Sequence, residues 1–126
     1  MGVNQLAKFL QITPDTVRYY TRIGYLIPRI NPNNGYKEYD KALITRMRFI
    51  VSARKLGLHV QDIGRILKAD EEGSRAAELF QELLDETLSE IDKKLKETSA
   101  LRERVSAALL IWEKKPDSHP PCKQVY

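Results

Sequence analysis

The sequence predicts a mainly α chain: a winged helix-turn-helix head with a small β-hairpin wing, followed by a long dimerisation helix. Three observations predict it. Two short helical patterns meet at Thr13-Pro14-Asp15. An Asn34-Gly35 pair lies in a stretch of turn and strand residues. A heptad pattern without Pro or Gly then runs from about Arg75 to Trp112.

The composition fits such a chain. With 126 residues, 42% apolar and 30% charged, it can build a core and is neither disordered nor membrane-like. No apolar run approaches the roughly eighteen residues of a spanning helix, and MGVNQLAKFL lacks a signal-peptide layout, so a cytoplasmic protein is expected. The single cysteine, Cys122, excludes an internal disulfide framework. The net charge of +4 is unevenly distributed. Residues 1–68 hold twelve Lys/Arg against four Asp/Glu, and residues 69–126 hold nine against thirteen. A cationic head on an acidic body is the footprint of a nucleic-acid binder, although a solvated basic face has the same arithmetic.

Asn4 is positioned to cap a first helix through Leu10, with Leu6, Phe9 and Leu10 inward. Thr13 suits the next N-cap, Pro14 the first helical position and Asp15 the positive end of the helix dipole. The second helix stops before Gly24. Val17 and Tyr20 would face the core, leaving Thr16, Arg18, Tyr19 and Arg22 on or beside the outer face. The pair matches a helix-turn-helix; a plain αα-hairpin has the same pattern.

Asn34-Gly35 then signals a two-residue hairpin turn whose central positions both need positive φ, with Tyr36, Lys37 and Tyr39 on the returning strand. A basic, tyrosine-bearing hairpin at this place reads as a wing able to reach phosphates beside a groove, or as a simple surface hairpin. Asp40 caps a helix from Lys41 to about Leu56 ended by Gly57, striped by Leu43, Met47, Ile50 and Val51. A short helix over Val60–Leu67 turns Ile63, Ile66 and Leu67 inward, and its Gly64 either weakens it or marks close packing.

These elements give a DNA-binding-type head over residues 1–68, a linker over 69–74, a coiled-coil helix over 75–112 and a loop or tail over 113–126. In the long helix one heptad position collects Leu84, Ile91, Thr98, Val105 and Trp112. The other collects Gln81, Leu88, Leu95, Arg102 and Leu109. A lone helix would leave this seam wet, so Leu84, Leu88, Ile91, Leu95, Val105, Leu109 and Trp112 are the expected dimerisation residues. The alternative is a helix folded back on its own head.

Thr16-Val17-Arg18-Tyr19-Tyr20, Gly24-Tyr25-Leu26, Pro28, Gly35-Tyr36-Lys37 and Tyr39-Asp40 occur in this order, followed by Ile50, Arg54, Leu56-Gly57 and Ile63. The ordered set resembles the MerR family of bacterial transcription regulators over residues 1 to about 68, and the short chain is similar to its metal- and redox-sensing branches. The resemblance implies a homodimer joined by an antiparallel coiled coil on pseudo-palindromic promoter DNA. It implies activation by bending and untwisting the promoter spacer when an effector binds, which realigns the elements read by RNA polymerase. It gives Arg18 and Tyr19 to the recognition helix as groove or backbone contacts and Tyr36, Lys37 and Tyr39 to the wing as phosphate contacts. Thr16 and Arg22 are added from the helix face. Two positions depart from the family pattern: Lys37 stands where Arg is usual, and Thr21 where Glu is frequent.

The effector is open. Cys122, with His119 three residues before it, offers thiolate and imidazole ligands, so a metal ion at the dimer interface is one reading. Oxidation or alkylation of the thiol, a small organic effector near Leu109, Ile111 and Trp112, and a tail cysteine without a role are the others. A coiled-coil module whose basic head binds an acidic protein is the competing class. No catalytic constellation surrounds His59 or His119, and no enzyme is expected.

Overall fold

Two of the head helices open on a side-chain cap that accepts a first-turn amide, Thr13 before one and Asp40 before the other. The computed structural model describes residues 1–114. Helix α2 (Pro14–Arg22) begins as its sequence indicates, with Thr13 Oγ1 accepting from the Thr16 amide at 3.2 Å and Pro14 in the first turn. Helix α1 (Val3–Leu10) starts before the expected Asn4 cap. Gly2 takes the cap position, and the Gln5 side chain reaches back to accept the Gly2 amide at 3.1 Å. The tight joint between α1 and α2 rests on Gln11, the one non-glycine residue with positive φ (57°) among the described residues. Its left-handed backbone returns the amide to the carbonyls of Ala7 and Lys8.

The wing pairs β1 (Arg29–Ile30) with β2 (Lys37–Glu38) antiparallel, Arg29 opposite Glu38 and Ile30 opposite Lys37. The two-residue turn at Asn34-Gly35 is not what forms. The chain makes a wider loop between the strands, in which Gly35 has φ 72° and Asn34 does not have positive φ. The asparagines account for the difference. Asn31 Oδ1 accepts from the Asn33 amide at 2.8 Å and Asn34 Oδ1 from the Tyr36 amide at 2.9 Å, side-chain turns that compete with a tight backbone turn. Tyr36 therefore precedes β2 instead of lying on it.

Asp40 caps α3 (Lys41–Lys55), accepting from the Leu43 amide at 2.9 Å, and Gly57 at φ 93° reverses the chain after it. Helix α4 (Val60–Glu71) runs one turn past Leu67, because Lys68 to Glu71 are compatible with a helix and the reversal waits for Gly73. Val17, Tyr20, Leu26, Met47, Ile50 and Ile63 meet in the core with Leu6 and Ala7 of α1. Phe9, expected inward, is instead 53% exposed beneath the Arg48 guanidinium, 5.5 Å from the ring centroid; Ala7 takes the buried position.

Gly64 marks close packing. A Cβ there would stand 2.7 Å from Tyr25 Cζ and nearer still to its hydroxyl, which donates to the Val60 carbonyl at 2.8 Å. The Tyr25 carbonyl in turn accepts from Arg46 Nε at 2.7 Å, and Arg46 Nη2 pairs with Glu71 at 2.6 Å.

Helix α5 (Ala76–Lys114) begins within the head unit, which spans Met1–Leu84. Leu83 is buried, and Ala76, Leu79, Phe80 and Leu84 pack against the core, Phe80 meeting Phe49 edge to face at 5.4 Å. From Asp85 the helix belongs to a second unit. There Leu88, Ile91, Leu95, Val105 and Leu109 are each more than half exposed.

Candidate nucleic-acid interface

The outer face of α2 is built by helical spacing over a buried floor. Val17 and Tyr20 are in the core, so Arg18, Tyr19 and Arg22 are turned outward. Arg22 stacks over Tyr19 with its guanidinium carbon 5.5 Å from the ring centroid, and Tyr19 meets Tyr20 edge to face at 5.0 Å. Tyr19 is thereby held between a cation and a buried ring, with part of its face left open. Arg18 Nη1 lies 3.0 Å from Asp15 Oδ1 in an exposed pair, and such pairs contribute about 0–1 kcal/mol, weak enough for a phosphate to displace the carboxylate. Thr16 is half-buried, its hydroxyl 2.8 Å from that of Thr13, so this side chain also serves the cap.

The wing carries a further exposed cation. Tyr36 is 73% exposed and Lys37 is exposed on β2 opposite Ile30. Asn31 fixes the base of the loop: its amide donates to the Tyr36 carbonyl at 2.8 Å and its Nδ2 to Glu38 Oε1 at 2.7 Å. The latter contact engages the wing's one carboxylate. Tyr39 does not join this surface. It is 1% exposed, a core residue whose hydroxyl meets Thr21 Oγ1 at 2.8 Å, so its ring cannot contact phosphate as the resemblance suggested.

Electrostatics agree with the geometry. Burial raises the phenol pKa of Tyr20, with the nearby Arg54 opposing the shift, and burial also raises that of Tyr25. A phenol is neutral at ordinary pH even without that shift, so neither ring subtracts from the positive charge of the surface.

The head also holds a half-open cavity of about 510 Å³ where α3 and α4 meet the start of α5, lined by Leu43, Phe49, Leu67 and Phe80 with Arg46 and Asp70 at its edge. Sequence reasoning missed it. The signal that could have found it is the apolar set Leu79, Phe80 and Leu83, which lies off both heptad positions. Among the described residues no three His, Cys, Asp or Glu side chains are grouped to hold a metal ion. Cys122 and His119 lie outside the described residues. The dimerisation candidates divide: Leu84 packs on the head, Leu88 to Leu109 form the exposed seam, and Trp112 is half-buried with a partner of its own.

A helix-turn-helix with outward arginines on its second helix, followed by a short hairpin with an exposed lysine, is the architecture of the winged helix-turn-helix class of DNA-binding regulators. The family model for the MerR HTH family regulatory protein matches residues 1–70, and the model for the MerR DNA-binding region matches residues 44–108. The chain belongs to the MerR family of transcription regulators. It is 28% identical over 122 residues to the HTH-type transcriptional regulator PA4778 of Pseudomonas aeruginosa, covering 97% of this chain and 91% of that one. It is also 28% identical to the regulator ZntR of Escherichia coli K12, over 79% of this chain and 72% of the other. Among solved structures, EcmrR in its DNA complex within EcmrR-RPo superposes with a TM-score of 0.72 at 26% identity over 92% of this chain. The present chain spans 41% of that protein's length. No helix among the described residues is long and apolar enough to cross a membrane.

Proposed function

We propose that two copies of this chain pair through the seam from Leu88 to Leu109 and bind one pseudo-palindromic promoter duplex. Arg18, Tyr19 and Arg22 of each α2 enter or border the groove, and Tyr36 and Lys37 of each wing hold the flanking backbone. The dimer distorts the promoter spacer, and an effector sets how far it does so. RNA polymerase then reads the realigned elements. The chain performs this in the cytoplasm and catalyses no reaction.

The observation that carries the reading is that Arg18, Tyr19 and Arg22 of α2 and Tyr36 and Lys37 of the wing are all exposed, while Val17 and Tyr20 of α2 and Tyr39 after the wing are buried. Those cations suit phosphates, and the Tyr19–Arg22 stack offers a flat surface to sugar or base edges. The dimer is supported by five large apolar side chains of α5, each more than half exposed at heptad spacing. Cys122 and His119 supply two metal ligands per copy, so a closed tetrahedral site needs further groups from the second copy or from carboxylates.

The test is salt-dependent binding to a duplex selected from a random-sequence pool by the wild-type protein. Arg18→Ala should weaken binding and flatten the slope of log affinity against log salt by about 0.9 for each phosphate that is no longer neutralised. A variant with unchanged affinity and slope would remove Arg18 from the interface. Equal binding to selected and random duplex would favour the basic head as a module for acidic partners.

A further inference from the structure

We infer that Thr21 and Tyr39 are positioning residues that set where the wing stands relative to the recognition helix; the inference rests on the DNA-binding reading above. Neither side chain is exposed enough to serve the surface directly. Tyr39 is 1% exposed and Thr21 is half-buried, yet they join the two DNA-facing elements at one point. Thr21 Oγ1 lies 2.8 Å from Tyr39 Oη and 2.8 Å from the Val17 carbonyl oxygen.

The direction of these bonds follows from counting protons. A carbonyl only accepts, so the single Thr21 hydroxyl proton goes to Val17. Tyr39 must then donate to Thr21. The chain runs from the wing base through Tyr39 Oη and Thr21 Oγ1 into the backbone of α2. Its ends lie next to the working surface: Thr21 precedes Arg22 and stands two residues after Tyr19, and Tyr39 stands two residues after Lys37. The Tyr39 backbone is fixed as well, its amide donating to the Met1 carbonyl at 2.7 Å. The buried ring cannot slide without breaking that bond or the hydroxyl link.

The accounting gives the two partners different consequences. Tyr39→Phe removes the donor, while Thr21 keeps Val17 as acceptor, so no buried polar group is stranded. Thr21→Val strands the Tyr39 hydroxyl in the core and therefore weakens folding as well as position. Thr21→Ser keeps both bonds.

The experiment is a double-mutant cycle between Tyr39→Phe and Lys37→Ala, read as affinity for the selected duplex and as the salt slope. If Tyr39 acts by placing Lys37, then Tyr39→Phe alone lowers affinity and flattens the slope in the same sense as Lys37→Ala. The double variant then binds within about twofold of Lys37→Ala alone. Thr21→Ser should retain wild-type affinity, and Thr21→Val should lose it together with thermal stability. Fold losses that multiply in the double variant, or a Tyr39→Phe protein with wild-type affinity and slope, would overturn the inference and leave the DNA-binding reading intact. A wild-type protein that selected no duplex would overturn both.

Discussion

Replacing Gly64 by alanine tests the packing beneath the DNA-binding surface, because the local and the tertiary terms have opposite signs. In an open helix interior the change is stabilising by about 1 kcal/mol, since alanine is the better helix former. Here the new Cβ would lie 2.7 Å from Tyr25 Cζ, so the ring must leave. Its departure breaks the 2.8 Å hydrogen bond to the Val60 carbonyl, a cost of about 1 kcal/mol. It also disturbs the stack on Tyr20, whose centroid is 6.0 Å away, at roughly 0.5–1.5 kcal/mol. Repacking the gap adds roughly 1–3 kcal/mol. Because these costs overlap, the net effect is about 2 kcal/mol of destabilisation, or a Tm lower by roughly 5–10 °C at fixed protein concentration. Thermal unfolding followed by circular dichroism reads it directly. In a Tyr25→Leu background the obstacle is gone, and the same Gly64→Ala change should become neutral or stabilising. A rise in Tm in the otherwise wild-type chain would refute the close contact between α4 and Tyr25.

Other expectations concern the helix joint, the seam and the buried phenols. Gln11→Gly should raise stability by roughly 0.5–1 kcal/mol in urea titration, because φ 57° is strained for a side chain and natural for glycine. Leu95→Glu places a charge at the middle of the exposed seam, and sedimentation at micromolar concentration should shift from two chains to one; a persisting dimer would place the interface elsewhere. Tyr20, whose pKa burial raises, loses its proton later in the folded than in the unfolded chain. Its contribution is therefore fully present below about pH 10 and falls as pH rises through the folded value. Urea midpoints measured on both sides of about pH 10 should drop less for Tyr20→Phe than for wild type.

Much of the head was legible because its signals are local. Thr13, Pro14 and Asp40 act within one helical turn, and the structure uses each at the position the sequence indicates. Asn4 misled because Gln5 caps from inside the helix, an arrangement that leaves the residue before the apolar pattern without a role. The wing loop misled for a related reason: Asn31 and Asn34 hold turns with their side chains, and a dipeptide rule does not count them. Tyr39 was misplaced because a two-residue strand is too short for alternation to reveal which face is inward. In α5 the heptad seam masks a second stripe. Ala76, Leu79, Phe80 and Leu83 turn to the head on spacings of three and four, and only the folded core separates them from the seam. The shared face of Arg18, Tyr19 and Arg22 was readable from helical period alone, whereas the Tyr39–Thr21 link spans eighteen residues and was not.

Tyr25 lies in the connection between helix and wing, the kind of segment that ordinarily opens first. Here its carbonyl is bound by α3, its hydroxyl by α4, and its amide and that of Leu26 by the Tyr20 carbonyl of α2. Those two amides should consequently exchange with deuterium as slowly as amides at the centre of α3, and only when the whole head unfolds. The linker between recognition helix and wing should therefore open together with α3, as one cooperative unit, and not ahead of it.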